Sequence, residues 1–150
     1  MAKLKVKETL NGYEVTVGEY KTNIRVGEEI GGVTPMKIEV SRQGVRIAGG
    51  DSSIRERGKT LVFGSLTSIP LSDDEGGLKA LSALVFSVEE ALRGKGVETA
   101  KCRTSSSLAR VLGQMGYTEA KVSGDVVDVV KNLQTQEPKL PQLWELGGKD

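Results

Sequence analysis

The residues best placed to do chemistry lie in the stretch IPLSDDEGGLKAL, residues 69–81. A strand-like run ends here at a proline, and Gly76 and Gly77 stand directly before a helical pattern. Glycines that open a helix let backbone N–H groups bind a phosphate, and the positive end of the helix dipole adds to that binding. The spacing therefore makes Gly76-Gly77 a candidate phosphate site.

Three acidic residues, Asp73, Asp74 and Glu75, precede these glycines and oppose a phosphate. A carboxylate a few ångströms from a phosphate costs on the order of 1–4 kcal/mol per pair. The same carboxylates stabilise a helix N-terminus by about 0.3–1 kcal/mol each, and Asp73 or Asp74 is a suitable N-cap. We therefore interpret the stretch first as a helix start.

Nucleophiles and metal ligands are scarce elsewhere in the sequence. It contains no histidine and one cysteine, Cys102. The lack of histidine removes the commonest general base and most zinc sites, so neither a catalytic residue nor a metal site is predicted. Cys102 is interpreted as a small buried hydrophobe, and Ser105–Ser107 as a helix cap. A single cysteine also excludes a disulfide framework.

The charges are balanced, with 21 Lys and Arg against 20 Asp and Glu in 150 residues, a formal net charge of +1. This balance gives no overall attraction to nucleic acid or an anionic membrane. Lys3, Lys5 and Lys7 alternate with apolar residues and are interpreted as the solvated side of an edge strand. A small nucleic-acid-binding domain that uses these lysines is a third hypothesis, not a favoured one, because no aromatic residues interleave them.

The first 70 residues are predicted to form strands and turns. Asn11-Gly12 between two alternating runs predicts a hairpin with positive φ in its turn, and a second hairpin is predicted around Arg42-Gln43-Gly44. Residues 48–59 (AGGDSSIRERGK) are polar and glycine-rich, which predicts a loop. A strand over 60–69 follows.

The second half predicts helices. Apolar residues recur at helical spacing from Leu78 to Leu92, and a short strand over 97–102 precedes a helix over 105–116 and a hairpin over 117–131. This order predicts an α+β fold: a mostly antiparallel twisted sheet, about two main helices and one parallel strand pair. The sequence leaves open whether the first 70 residues share a sheet with the rest.

Residues 134–150 are predicted to be a C-terminal tail that follows a single domain over 1–133. This domain is strand-rich over 1–70 and consists of a helix, a strand, a helix and a hairpin over 71–133. The tail carries apolar residues that either pack on their own domain or dock into a protein partner. We favour docking or self-assembly with Trp144 as anchor. The predicted partner-binding residues are Leu140, Leu143, Trp144 and Leu146.

Residues 69–131 resemble the C-terminal half of the GNAT acyl-CoA N-acyltransferase superfamily. Ile69-Pro70-Leu71 stands where the family has a V-x-P strand end, and Gly76-Gly77 stands in its pyrophosphate loop. SSSLARVLGQMGY, residues 105–117, is similar to the family's second helix, which ends in Gly-Phe. The resemblance implies a GNAT-like fold and, if coenzyme A binds, Gly76, Gly77 and Leu78 as cofactor-binding residues.

Some positions depart from the family pattern. Asp74 stands where the pyrophosphate loop has Arg or Gln, and Leu112 stands where the family often has a general-acid tyrosine. Glu39 and Glu56 are available as a base, but their spacing selects neither. The leading hypothesis is therefore a non-catalytic structural or interaction protein that takes no cofactor, a component of a larger assembly such as a phage or viral particle. The alternative is an acetyl-CoA-dependent N-acetyltransferase.

The sequence also predicts a soluble, intracellular protein. The start, MAKLKVKETL, has no apolar signal-peptide core, and the helix from Leu78 to Leu92 is too short and too charged to span a bilayer. We therefore expect no membrane partner and a cytoplasmic location, or a place in a particle made in the cytoplasm.

Overall fold

One mixed sheet of nine strands organises the chain, in the order β1-β2-β3-β4-β5-β6-β7-β9-β8. The computed structural model describes residues 3–69 and 75–146. The strands are β1 Leu4–Thr9, β2 Gly12–Val17, β3 Tyr20–Val26, β4 Thr34–Arg42, β5 Val45–Arg55, β6 Thr60–Ser68, β7 Thr99–Ser105, β8 Thr118–Ser123 and β9 Val126–Asn132. The helices are α1 Glu75–Ala91, α2 Ser106–Gln114 and α3 Gln142–Leu146.

The sheet confirms the predicted α+β class. Every neighbouring pair of strands is antiparallel except β6 and β7, which are parallel and are connected through α1. A parallel pair needs such a crossover, because a tight turn cannot return the chain in the same direction. The first six strands belong to this one sheet, which answers the question that the sequence left open.

Both predicted N-terminal hairpins form, but the first turn differs from the expected one. Thr9 pairs with Gly12, so Leu10 and Asn11 make the turn, and neither Asn11 nor Gly12 has a positive φ. Gly12 is required for a different reason: a Cβ there would overlap the carbonyl oxygen of Ile24. In the second hairpin, Gln43 and Gly44 adopt the expected positive φ values of 53° and 81°.

The predicted loop over residues 48–59 is wrong for most of its length, since β5 continues to Arg55. Its small polar residues resemble a loop, yet β4 pairs with this segment on one side and β6 on the other. Pairing on both sides satisfies the backbone and overrides the weak strand propensity of Gly, Ser and Asp. Gly50 suits this position because a Cβ there would overlap the carbonyl oxygen of Ser65.

The middle of helix α1 is buried on all sides. From Ala80 to Val88 no side chain is more than 6 % exposed. One side of α1 packs on strands β2 to β6. A helix that is apolar all round needs cover on its other side as well. No helix in the described part of the chain is long and apolar enough to cross a membrane.

The C-terminal segment, residues 134–146, lies along α1 in the opposite direction. Arg93, just beyond the end of α1, forms a 2.8 Å salt bridge with Glu137. Near the start of α1, the indole N–H of Trp144 donates to Ser82 Oγ at 2.9 Å, and Lys79 Nζ lies 4.6 Å from the centre of the Trp144 ring. The segment therefore supplies part of the cover that α1 needs.

Trp144 is only 6 % exposed, and its ring packs edge-on against Tyr20 at 5.2 Å. Leu140 and Leu143 are half-buried, and the side chain of Leu146 lies outside the described part of the structure. The structure thus shows the first of the two alternatives for the tail, packing on its own domain. Docking of the tail into a partner stays a prediction.

Helices α1 and α2 contact each other and cover the same face of the sheet. Residues on that face are buried, as in the cross-strand pair Ile24 and Ile38, whereas the neighbouring pair Arg25 and Lys37 points to the other face and is exposed. Among residues 3–69 and 75–146, no helix covers that second face. We call it the open face.

Candidate functional site

A cleft separates the two parallel strands. Strands β6 and β7 pair only over Thr60–Phe63 and Thr99–Cys102, and beyond these residues they diverge. The space between them has a volume of about 520 Å³. It is lined by Phe63, Gly64, Ser65, Leu66, Leu81, Arg103, Thr104, Ser105 and Leu108.

A β-bulge in β6 explains why the strands diverge. Gly50 of β5 pairs with Leu66, and Ser52 pairs with Phe63. Over this stretch β6 therefore advances by three residues while β5 advances by two. The extra residue lies at Gly64-Ser65. A bulge bends its strand and interrupts pairing, and the pairing of β6 with β7 ends at Phe63, directly before it.

Asp51 holds the bulge from the neighbouring strand. The Ser65 backbone N–H donates to Asp51 Oδ1 at 3.2 Å. A Cβ added at Gly64 would overlap this carboxylate, so Gly64 is needed for close approach rather than for an unusual φ. A glycine inside a strand-like run is a known sign of a bulge, and Gly64 was the signal in the sequence that would have located it.

Replacing Gly64 with alanine is expected to displace the Asp51 carboxylate and break its hydrogen bond to Ser65, which destabilises the fold by about 0.5–1.5 kcal/mol. Urea unfolding and the amide chemical shift of Ser65 measure both effects. Gly113→Ala is the matched control, because a Cβ at Gly113 in α2 meets nothing within 4 Å. That control should stabilise the protein by up to about 1 kcal/mol. An unchanged Ser65 amide in Gly64→Ala would contradict the assigned role of Asp51.

The helices supply the floor and one end of the cleft. Leu81 of α1 and Leu108 of α2 are fully buried and apolar. Ser105 is the N-cap of α2, as predicted, and its Oγ accepts from the Leu108 N–H at 3.3 Å. The start of α2 therefore faces the cleft, which places the positive end of a helix dipole there.

Arg103 connects the cleft with the open face. Its Nε donates to Asp128 Oδ1 at 2.8 Å, and this hydrogen bond lowers the pKa of Asp128 and raises that of Arg103. A second depression, of about 480 Å³, lies beside this pair and also includes Val62 and Val130. It shares Phe63 and Arg103 with the cleft, so the two cavities lie next to each other.

The three predicted cofactor-binding residues lie in the first turn of α1. Gly76 is exposed, Gly77 is buried and Leu78 is half-buried. None of them lines the cleft, although Leu81, three residues after Leu78, does. Asp73, Asp74 and the Ile69-Pro70-Leu71 motif beyond Ile69 lie outside the described residues, so the prediction for this loop stays a prediction.

The other candidates do not meet at the cleft. Cys102 is buried, and burial, with a smaller effect of Asp128, raises the pKa of its thiol to about 12. Leu112 is fully buried, Glu39 is exposed on β4, and Glu56 lies in a turn where it accepts from Thr60 Oγ1 at 2.8 Å. Within the described ranges, no group of acidic and cysteine side chains could hold a metal ion.

A buried ionic cluster lies at the other end of α1. Lys131 Nζ contacts Glu89 Oε1 at 2.5 Å, and Tyr117 Oη donates to Glu89 Oε2 at 2.8 Å. Burial raises the pKa of Glu89, and the contacts with Lys131 and Tyr117 partly offset the rise. Lys131 also donates to the Glu137 carbonyl oxygen at 3.2 Å, so the cluster fixes the start of the C-terminal segment.

The fold matches solved N-acetyltransferases. The PaiA N-acetyltransferase from Thermoplasma acidophilum, solved in complex with coenzyme A, gives a TM-score of 0.54 at 13% identity over 65% of this chain and 60% of that one. An aminoglycoside 6'-acetyltransferase type Ii gives 0.52 at 12% identity over 66% and 69%. The ribosomal-protein-S18-alanine N-acetyltransferase from Escherichia coli gives 0.50 at 14% identity over 70% and 72%.

These matches show a GNAT-like fold, as the sequence resemblance implied. The match spans less than two thirds of the first of these proteins. No protein-family model matches the chain, and no curated protein matches its sequence. The expectation that the chain takes no cofactor is contradicted, because a protein of this fold was solved with coenzyme A. The comparisons give no support to a role in a phage or viral particle.

Proposed function

We propose that the protein is an N-acetyltransferase that transfers the acetyl group of acetyl-CoA to an amine. The observation that carries this proposal is the cleft where β6 and β7 separate. Its walls are two strand edges that face each other without pairing. Such edges offer backbone N–H and C=O groups to an extended molecule that enters between them.

The residues of the cleft fit the pantetheine arm of coenzyme A, an extended chain with two amide groups. Beyond Phe63 and Cys102 the strand edges can hydrogen-bond those amides as a further strand would. Leu81 and Leu108 provide an apolar floor for the methylene groups between them. Gly64 carries no side chain that would narrow the opening.

The phosphates of the cofactor would lie at the start of α1. Gly76, Gly77 and Leu78 form its first turn, where the positive end of the helix dipole favours an anion. This assignment rests on the sequence pattern and on the direction of β6 into α1. It requires the acidic residues before Gly76 to point away from the phosphates, since a carboxylate beside a phosphate is repelled.

When bound, acetyl-CoA supplies an acetyl group activated as a thioester. The chain must supply a binding place for the amine and an acceptor for its proton. Two carboxylates contact the cleft wall, Asp128 through Arg103 and Asp51 through Ser65. Asp128 is engaged by the Arg103 guanidinium, whereas Asp51 is exposed on the open face. We assign to Asp51 the role of proton acceptor, for an amine that arrives through the depression beside Arg103.

The experiment is a calorimetric titration of the full chain with acetyl-CoA, with an expected Kd on the order of 1–100 μM. Thr104→Trp places a large ring in the cleft and is expected to weaken binding at least tenfold. Thr118→Trp is the matched control, because Thr118 is exposed on β8 and lies outside the cleft. This control variant should bind acetyl-CoA with the same Kd as the unchanged protein.

Two results of the titration would contradict the proposal. No binding of acetyl-CoA at millimolar concentration would reject the proposed function. If Thr104→Trp binds acetyl-CoA as tightly as the unchanged protein does, the cofactor does not bind in the cleft. Release of free thiol on addition of an amine such as spermidine or kanamycin then tests the transfer itself.

A further inference from the structure

The open face of strands β1 to β5 carries an excess of positive charge. Seven basic side chains and three acidic ones point to it, and all seven basic residues are exposed. This basic face has a formal charge of +4, whereas the whole chain has +1. The basic residues are Lys5, Lys7, Lys21, Arg25, Lys37, Arg46 and Arg55, and the acidic ones are Glu14, Glu39 and Asp51.

Most of these cations form no salt bridge with a described residue, although Lys7 and Lys37 lie opposite Glu14 and Asp51 on the neighbouring strands. In the part of the chain that the structure describes, Lys21 forms the one salt bridge on this face, with Glu14 at 3.8 Å. Arg25 and Lys37 lie directly opposite each other on β3 and β4. Like charges in that arrangement destabilise a sheet. Protection of a sheet edge can explain lysines on β1, but it does not explain two cations on interior strands.

The composition of the face separates a nucleic acid from a protein partner. Lysine is depleted at protein interfaces, where aromatic residues are enriched, yet four of the seven cations here are lysines. The tyrosines of these strands, Tyr13 and Tyr20, point to the helical face instead. Phosphate oxygens are the partners that Lys and Arg contact when no base is read.

The same absence of aromatic side chains bears on the kind of nucleic acid. Single strands are held mainly by bases that stack on aromatic rings, and the basic face of β1 to β5 offers none. A duplex keeps its bases stacked and presents rows of phosphates. Lys5 and Lys7, two residues apart on an extended strand, are about 7 Å from each other. That distance is twice the rise of about 3.4 Å per phosphate along one DNA strand.

We infer that the basic face binds duplex nucleic acid through its phosphates, without reading the base sequence. Arg25 and Lys37 lie at its centre, with Lys7 and Arg55 towards its margins. Asp51 is common to this face and to the proposed acetyltransferase site, but none of the seven cations lines the cleft between β6 and β7. The inference therefore does not rest on the proposed acetyltransferase activity.

The test uses the full chain and a fluorescent duplex DNA of ~20 base pairs, with binding measured by anisotropy between about 50 and 200 mM salt. We expect a Kd on the order of 10⁻⁶–10⁻⁴ M that weakens steeply with salt. The double variant Arg25→Glu/Lys37→Glu keeps two like charges opposite each other on β3 and β4. Because Lys37 also lies opposite Asp51 of β5, urea unfolding checks that the variant is folded before its binding is measured. The variant is expected to bind at least tenfold more weakly, with a salt slope smaller by about 2.

The control variant Arg110→Glu/Lys139→Glu makes the same change in net charge at exposed positions on α2 and the C-terminal segment. It should bind the duplex within about twofold of the unchanged protein, because phosphate contacts are local. If this control variant loses as much affinity for the duplex as Arg25→Glu/Lys37→Glu, the loss reflects the net charge of the protein, and the inference is wrong. An unchanged Kd in Arg25→Glu/Lys37→Glu, or no duplex binding at low salt, would also overturn the inference.

Two competitor molecules, added to the complex with duplex DNA, test for other ligands of the basic face. A single strand of the same length is expected to bind more weakly than the duplex, and tighter binding would assign the face to single strands. Polyglutamate of matched charge is also expected to compete poorly. If it displaces the duplex at equal charge concentration, the face recognises an acidic polypeptide and the inference is wrong.

Discussion

Lys131→Met is expected to lower the free energy of unfolding by about 3–5 kcal/mol. Lys131 is 1 % exposed and Glu89 is 3 % exposed, so the variant leaves a carboxylate buried beside Tyr117 without its cation. It also removes the donor to the Glu137 carbonyl oxygen, which frees the start of the C-terminal segment. Chemical denaturation at pH 7 measures the loss.

The pH dependence of this variant follows from the raised pKa of Glu89. Because the folded-state value lies above the unfolded one, the folded state keeps a proton that the unfolded state has already released. Stability therefore falls as pH rises through the window between the two values, which begins near pH 4.5. Lys131 lowers the pKa of Glu89, so its removal raises that pKa further and extends the window upwards.

The double variant Glu89→Gln/Lys131→Met is the control. It removes the buried charge together with its partner, so a large part of the lost stability should return, and this part of the pH dependence should disappear. If Lys131→Met is as stable at pH 7 as the unchanged protein, or if the double variant is less stable than Lys131→Met, Glu89 and Lys131 do not form a buried ion pair in solution.

Trp144→Ala is the second large effect that we expect, a loss of about 3–5 kcal/mol. The indole packs on Tyr20, lies under Lys79 Nζ and donates to Ser82 Oγ, so its removal opens a cavity beside α1. Ser82 is fully buried and would also lose its donor. Thermal and urea unfolding of the full chain measure the change.

Trp144→Phe separates the ring from its N–H group. It retains most of the apolar contact with Tyr20 but leaves Ser82 without its donor, so a loss of about 1–3 kcal/mol is expected. A change of less than about 1 kcal/mol in Trp144→Ala would mean that the segment is weakly held in solution. That result would favour the alternative in which the tail docks into a partner.

The sequence predicted those elements whose signals are local. The apolar spacing from Leu78 to Leu92 corresponds to α1, Ser105 is the N-cap of α2, and Gln43-Gly44 is the turn between β4 and β5. Each depends on a few neighbouring residues, which a single sequence displays. The parallel pair of β6 and β7 also followed, because a strand, a long helix and a second strand leave few other connections.

The site depended on information that is not local. The bulge at Gly64-Ser65 exists because β5 and β6 pair in a register that places Asp51 over Gly64, and composition does not reveal a register. The positive charge of the open face could not be predicted from the composition, for a related reason. The net charge of +1 is a sum over both faces, and Arg25 and Lys37 fall on one face only through the alternation of β3 and β4.

The short pairing between β6 and β7 joins two units of the sheet. Strands β1 to β6 form one and strands β7 to β9 the other, and the ladder that joins them covers four residues of each strand. The C-terminal segment spans both units: the Gln142 N–H donates to Gln114 of α2, while Trp144 packs on Tyr20 of β3. Besides this segment, the α1–α2 contact and the contact of Glu89 with Lys131 hold the two units together. Release of the last described residues would therefore remove one of the few links across the gap, and we expect it to loosen the gap between β6 and β7.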